Sequence, residues 1–306
     1  MRRRSLLVAL FLACAGCASP DASGVPTVDS ELEVGGGTIL LRVEPGALAL
    51  DRTALEAWVT SAARAVAGYY GAFPVKRALV RIRPVEGGGV MNGVATGDPE
   101  PAVTLDLGRD ATATDLANDW MLTHELIHLA FPSVPPRHHW IEEGIATYVE
   151  PIARVRVGTL AAGSFWHDFV RDLPQGEPEA DDKGLDNTPT WGRTYWGGAL
   201  FCFVADLRIR AATRESKGLE DALRGIVAAG GSISVEWSLE RALAAGDAAT
   251  RTHVLVGLYD EWKEKRVTVD LAALWKELGV TVAGDSVRFD DTAPRAATRR
   301  ALTAPR

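Results

Sequence analysis

His124-Glu125-Leu126-Ile127-His128, followed after a proline-bounded break by Trp140-Ile141-Glu142-Glu143-Gly144, is the stretch on which the reading of this chain turns. Histidines four apart on a helix lie about 40° from each other around the axis and one turn apart, so both imidazoles reach one metal ion. Glu125 leans over the same open face. Two nitrogen ligands with a carboxylate beside a metal-bound water make the pattern of a hydrolytic zinc site. Such a site uses three protein ligands and leaves a fourth position for water. The Glu142-Glu143 pair, on a second helix, is the obvious source of the third. His138 and His139 compete for that role, but in a proline-bounded connection they read as surface or substrate-rim histidines. The chemistry expected is attack by a zinc-activated water, with Glu125 taking its proton and passing it to the leaving group. The resulting oxyanion needs a further donor.

Outward from this stretch the chain divides in two. Before it, Thr38 to Glu44, Ala78 to Pro84 and Val103 to Leu107 read as strands from their alternating apolar residues. Between the first two, Asp51 caps a helix from Arg52 to Tyr70, with Leu55, Trp58, Val59, Ala62, Val66 and Tyr69 on its apolar face. This gives an α+β fold class: a small mixed sheet with one packed helix over residues 38–110, followed by a mainly helical half over 111–292. The metal-bearing helix is expected from about Leu116 to Phe131, ended by Pro132, and its partner from Trp140. Gly144 would let that partner approach the metal-bearing helix closely. Pro174 to Pro189, with Glu177, Glu179, Asp181, Asp182 and Asp186, reads as an exposed acidic loop. Helices are expected at Ser164 to Leu173, Leu219 to Ala228, Val235 to Ala245 and Thr250 to Lys265. A hairpin is expected around Gly284-Asp285, and a basic tail over 293–306.

Lys plus Arg number 33 against 40 Asp plus Glu, a net charge of −7, which argues against a nucleic-acid partner. The N-terminus has its own pattern. Arg2, Arg3 and Arg4 precede a short apolar run, Leu6 to Ala13, and then Ala15-Gly16-Cys17-Ala18-Ser19. This is an export signal too short for a membrane helix. Its end resembles a bacterial lipobox, which implies lipidation at Cys17, with Cys14 as the second choice, and a lipid-anchored protein of the cell envelope. Residues 18–37 read as a flexible tether. Cys202, in an apolar run, reads as a buried small side chain.

The stretch from Trp140 to Glu150 resembles the second motif of gluzincin peptidases, in the aminopeptidase N-like and glycyl aminopeptidase families. There the third zinc ligand is the Glu immediately before the Gly, which is Glu143 here. Thr194-Tyr195-Trp196-Gly197-Gly198-Ala199-Leu200 is similar to a glycyl aminopeptidase stretch in which a tyrosine donates to the oxyanion, a role that falls on Tyr195. Gly197 stands where that family carries Lys. Gly89-Val90-Met91-Asn92 resembles the substrate-binding strand of aminopeptidases, without the Glu that holds a free α-amine. The resemblance thus implies a thermolysin-like catalytic half, one zinc ion on His124, His128 and Glu143, Glu125 and Tyr195 as catalytic groups, and a peptide or protein substrate. Two other outcomes share these residues: a catalytically silent binding lipoprotein, and a zinc amidohydrolase acting on cell-wall material. Asp206, about 16 Å from Tyr195 if one helix carries both, reads as a member of a structural ion pair with an arginine.

Overall fold

The computed structural model describes residues 30–305, so the leader, Cys14 and Cys17 lie outside the described residues. The chain opens with β1 (Ser30–Val34), β2 (Gly37–Val43), α1 (Arg52–Tyr70), β3 (Arg77–Val85), β4 (Val90–Thr96) and β5 (Ala102–Gly108). These strands form one mixed sheet in the order β1-β2-β3-β5-β4. β2, β3 and β5 run parallel, and β1 and β4 join the two sides antiparallel. Ile39, Leu41, Val80, Ile82, Val103, Leu105 and Leu107 are buried, as their alternation requires, and α1 contributes the six apolar residues of its predicted face to the same core. Asp51 accepts a hydrogen bond from the Ala54 N–H at 2.8 Å, and Gly71 ends α1 at φ 83°.

One strand differs from the sequence expectation, and a second was anticipated only through the resemblance. Ser30–Val34, within the stretch read as a tether, pairs along its length with β2. Its apolar residues are only Leu32 and Val34, and pairing with a neighbour rather than internal pattern makes it a strand. β4 is the glycine-containing segment after Gly87-Gly88-Gly89. It is an edge strand with a register shift between Val90 and Asn92, and among the described residues its outer edge has no strand partner.

The helical half continues with α2 (Ala113–Asn118), α3 (Met121–His128), α4 (His139–Arg156), α5 (Ala162–Asp172), α6 (Gly198–Thr213), α7 (Leu219–Ala228), α8 (Leu239–Thr250), α9 (Val254–Trp262) and α10 (Leu271–Leu278). The hairpin β6 (Val280–Ala283) and β7 (Ser286–Phe289) and a last helix α11 (Ala296–Thr303) complete it. No helix of the described residues is long and apolar enough to cross a membrane. One arginine of the basic tail is spent inside the protein, while Arg300 is exposed. Arg299 is buried and donates to the carbonyls of Leu278, Gly279 and Asp290.

The acidic stretch after α5 is not a solvated loop. Asp182 is buried against Arg193 at 2.7 Å, and Leu185 is buried. Asp186 accepts hydrogen bonds from Trp140 Nε1 at 2.9 Å and the Tyr259 hydroxyl at 2.7 Å, and lies 2.9 Å from His138 Nδ1. His138 is accordingly interior rather than on the surface. Asp206 does form the expected ion pair, with Arg210 at 2.8 Å, and also accepts from Tyr148 and the Leu219 N–H. Glu220 joins Arg210 at 2.8 Å and Arg156 at 3.4 Å. This buried network ties α4, α6 and α7 together.

Gly144 has a different partner from the one expected. A Cβ on Gly144 would lie 2.3 Å from the backbone of Gly198, and one on Gly198 would lie 2.1 Å from the Trp140 carbonyl oxygen. The close crossing is therefore α4 on α6, not α4 on α3. Gly144→Ala forces backbone against backbone and is expected to cost about 3 kcal/mol, read as a fall in thermal midpoint. Gly163→Ala in α5, where an added Cβ meets nothing within 4 Å, is the matched control and leaves stability unchanged or slightly raised.

Candidate active site

The expected single metal-bearing helix is in fact two. Asp119, after α2, accepts hydrogen bonds from the N–H groups of Met121 and Leu122 at 3.0 and 3.1 Å, which caps α3. Its other tie is to Trp58 Nε1 on α1 at 3.1 Å. α3 thus starts at a fixed point of the core, only one turn before His124. A Cβ on Gly93 of β4 would lie 2.8 Å from Glu125 Cγ. The glycine lets the edge strand close on α3 there, and the Glu125 carboxylate accepts a hydrogen bond from the Ala95 backbone.

Glu143 enters from α4. Its Oε2 lies 3.1 Å from His124 Nε2 and 3.7 Å from His128 Nε2. One donor atom from each of these three side chains falls within 4.8 Å of the others. The second oxygen, Oε1, is 3.2 Å from His139 Nε2. Glu142 does not join this cluster: it lies 3.0 Å from His139 Nδ1 and accepts from the Val134 N–H. The helical phase therefore separates the two neighbouring glutamates, and only Glu143 meets both imidazoles. His139 braces both carboxylates from the rim, a role its place in the connection did not reveal.

The electrostatics follow from burial. Burial and the neighbouring His124 push the His128 imidazole down to about 3, so it is the neutral form that metals bind. Burial raises the Glu143 carboxyl, but hydrogen bonds from His124 and His139 outweigh it and hold the group well below the usual carboxylate range. Burial, opposed by His124 and reinforced by Glu143, pushes Glu125 up to about 7. Glu150 is buried behind the site and bonded to Arg154 at 2.8 Å. Burial pushes its carboxyl up to about 7 against the pull of Arg154 and His124. Glu150 thus faces inward, onto Arg154, rather than into solvent.

Tyr195 sits in a π-helical turn, Arg193–Gly197, ahead of α6. Its ring lies 6.5 Å from that of His124. Burial, then the charges of Glu143 and Glu125, raise its hydroxyl, which remains a hydrogen-bond donor at neutral pH. The close α4–α6 crossing at Gly144 and Gly198 brings this turn beside Glu143. A cleft of about 750 Å³ contains the whole constellation. It is lined by residues 92–98 of and after β4, with Trp120, Met121, His124, Glu125 and His128 on one side and His139, Glu142, Glu143 and Tyr195 on the other. Of the four residues anticipated for substrate contact, Asn92 lines the cleft, and Gly89, Val90 and Met91 do not. Cys202 is buried in α6, away from any such role.

The fold has counterparts among solved structures. An aminopeptidase N family protein from Idiomarina loihiensis matches with a TM-score of 0.65 at 14% identity, over 83% of this chain and 49% of that one. A two-domain M1 zinc metallopeptidase bound to L-arginine matches with a TM-score of 0.53 at 18% identity, over 79% and 52%. An M1 zinc metallopeptidase from Deinococcus radiodurans gives 0.50 at 16%, over the same shares. The chain shares its fold with M1 zinc metallopeptidases. It spans about half the length of these structures. No protein-family model matches the sequence, and no curated protein sequence matches it.

The donor set fits zinc: a buried and a half-buried imidazole, the latter held neutral, and a carboxylate kept ionised, with their donor atoms already converged. Metal analysis after dialysis tests the assignment. His128→Ala and Glu143→Ala are expected to lose zinc, whereas Glu142→Ala keeps it at the wild-type ratio. Equal loss from Glu142→Ala would contradict the helical phase described above.

Proposed function

We propose that this chain is a zinc metallopeptidase of gluzincin type that hydrolyses peptide bonds. The observation that carries the reading is the convergence of His124, His128 and Glu143 with the Glu125 carboxylate in one cleft. His124, His128 and Glu143 would hold the ion. Bound zinc supplies a Lewis acid and lowers the pKa of water toward neutrality.

The remaining chemistry belongs to the protein. Glu125 is the general base: its carboxylate takes a proton from the attacking water and then delivers it to the leaving amine nitrogen. Burial raises this carboxyl, and the charge of a bound ion would lower it again and favour the carboxylate that accepts the proton. Its hydrogen bond from Ala95 holds it against β4, and the missing Cβ of Gly93 makes room for it. Tyr195 donates from its hydroxyl to the oxygen that becomes negative as the carbonyl carbon turns tetrahedral. The unpaired outer edge of β4 offers main-chain groups to an extended substrate. With the export signal and Cys17 read from the sequence, the proposal places this activity at the bacterial cell envelope.

Glu125→Gln is expected to retain full zinc stoichiometry while peptide cleavage falls by roughly 10²-fold to 10⁴-fold. Full activity in that variant would remove Glu125 from the mechanism. Tyr195→Phe should lower kcat by about 10² with little change in KM. An equal rise in KM with kcat intact would instead make Tyr195 a substrate contact.

A further inference from the structure

His139 lines the cleft without belonging to the converged donor set. Its side chain is 54% exposed, yet its place is fixed. The residues on either side of it, His138 and Trp140, are buried, and both meet Oδ1 of Asp186 at 2.9 Å. His139 also opens α4, so Glu142 and Glu143 stand three and four residues further on, the spacings at which helix side chains meet. Both contacts are made: Nδ1 lies 3.0 Å from Glu142 Oε2, and Nε2 lies 3.2 Å from Glu143 Oε1. Glu142 is in turn held through its other oxygen by the Val134 N–H at 3.3 Å. One imidazole thus joins the two neighbouring glutamates, and the farther one is tied to the backbone of the connection.

The two oxygens of Glu143 are therefore divided. Oε2 faces the two ligand imidazoles, and Oε1 faces His139. Carboxylates bind metals through one oxygen or both, and the terminal torsion of a glutamate side chain is soft. A carboxylate free to turn can bring its second oxygen to the position that a catalytic zinc site keeps for water. We propose that His139 is a positioning residue: by retaining Oε1 it limits Glu143 to ligation through Oε2 alone, which raises zinc affinity and leaves the fourth position to water. Glu142 orients the ring that does this. The inference rests on the zinc reading of the site and is independent of which bond is cleaved.

The test measures two properties of the full chain. Zinc affinity is read by competition with a chromophoric chelator. Coordination is read from the visible absorption of the cobalt(II)-loaded protein, which weakens as the coordination number rises from four to five. His139→Phe keeps a flat ring and cannot donate. It is expected to lose about 10- to 100-fold in zinc affinity and to absorb more weakly with cobalt than the wild type. His139→Gln, whose amide N–H can donate to a carboxylate, is expected to regain most of both. His139→Ala takes the place of His139→Phe if the larger ring disturbs folding, and shows the same losses. A role confined to helix stability would lower the thermal midpoint of the metal-free protein and leave affinity and cobalt spectrum at wild-type values. That result overturns the proposal, as does a glutamine variant no better than the phenylalanine one. A wild type that binds no zinc overturns the zinc reading and this inference together. A wild type that binds zinc and cleaves no peptide refutes the peptidase reading and leaves the assignment of His139 standing.

Discussion

The structure depends on one carboxylate oxygen. Glu143 Oε2 has to sit between two imidazoles that belong to a different helix, at 3.1 and 3.7 Å. Buried ionisable groups are unfavourable unless they are paired, and here each is. His124 and His128 face Glu143, and the second oxygen of Glu143 faces His139. The cluster also holds the donors close before any ion arrives, which reduces the ordering needed on binding.

Much of the helical half can be understood as the means of fixing that oxygen. Asp119 caps α3 and ties it to α1 through Trp58, so the helix carrying both histidines is anchored at its start. α4 is placed by the glycine contact with α6 and by the buried network of Arg156, Asp206, Arg210 and Glu220. The π-helical turn ahead of α6 is held by Arg193, which pairs with buried Asp182 and donates to the Gly176 carbonyl. The same two contacts that order the interior thus also set where Tyr195 stands relative to Glu143. π-helical turns are rare and are often found at functional sites.

The sequence disclosed the site better than it disclosed the scaffold. Spacing alone placed the two imidazoles on one helix face, and the glycine after Glu143 pointed to that residue through a family likeness rather than through periodicity. The α1 face was legible because its apolar residues repeat at helical intervals over five turns. The break at Asp119-Trp120 was not, because an aspartate inside an apolar pattern reads as a surface position until its cap partners are known. β4 was legible only through its resemblance to a substrate-binding strand, because glycines weaken the local strand signal, and Gly93 is there to admit Glu125. The residues after α5 were read as solvated because they are acidic, whereas Asp182 is buried and Asp186 half-buried, on partners that lie 11 and 73 positions away. Long-range polar pairs of that kind leave no local trace in a sequence.

The glycine of α4 shows the same limit at finer scale. Gly144 signals a close approach, but only the fold decides that α6 is the neighbour. The account as a whole is tested most directly by anomalous diffraction at the zinc edge from crystals of the zinc-loaded protein. It predicts a single strong peak bounded by Nε2 of His124, Nε2 of His128 and Oε2 of Glu143. No peak there, with the Glu143 carboxylate turned to His139 alone, would contradict it.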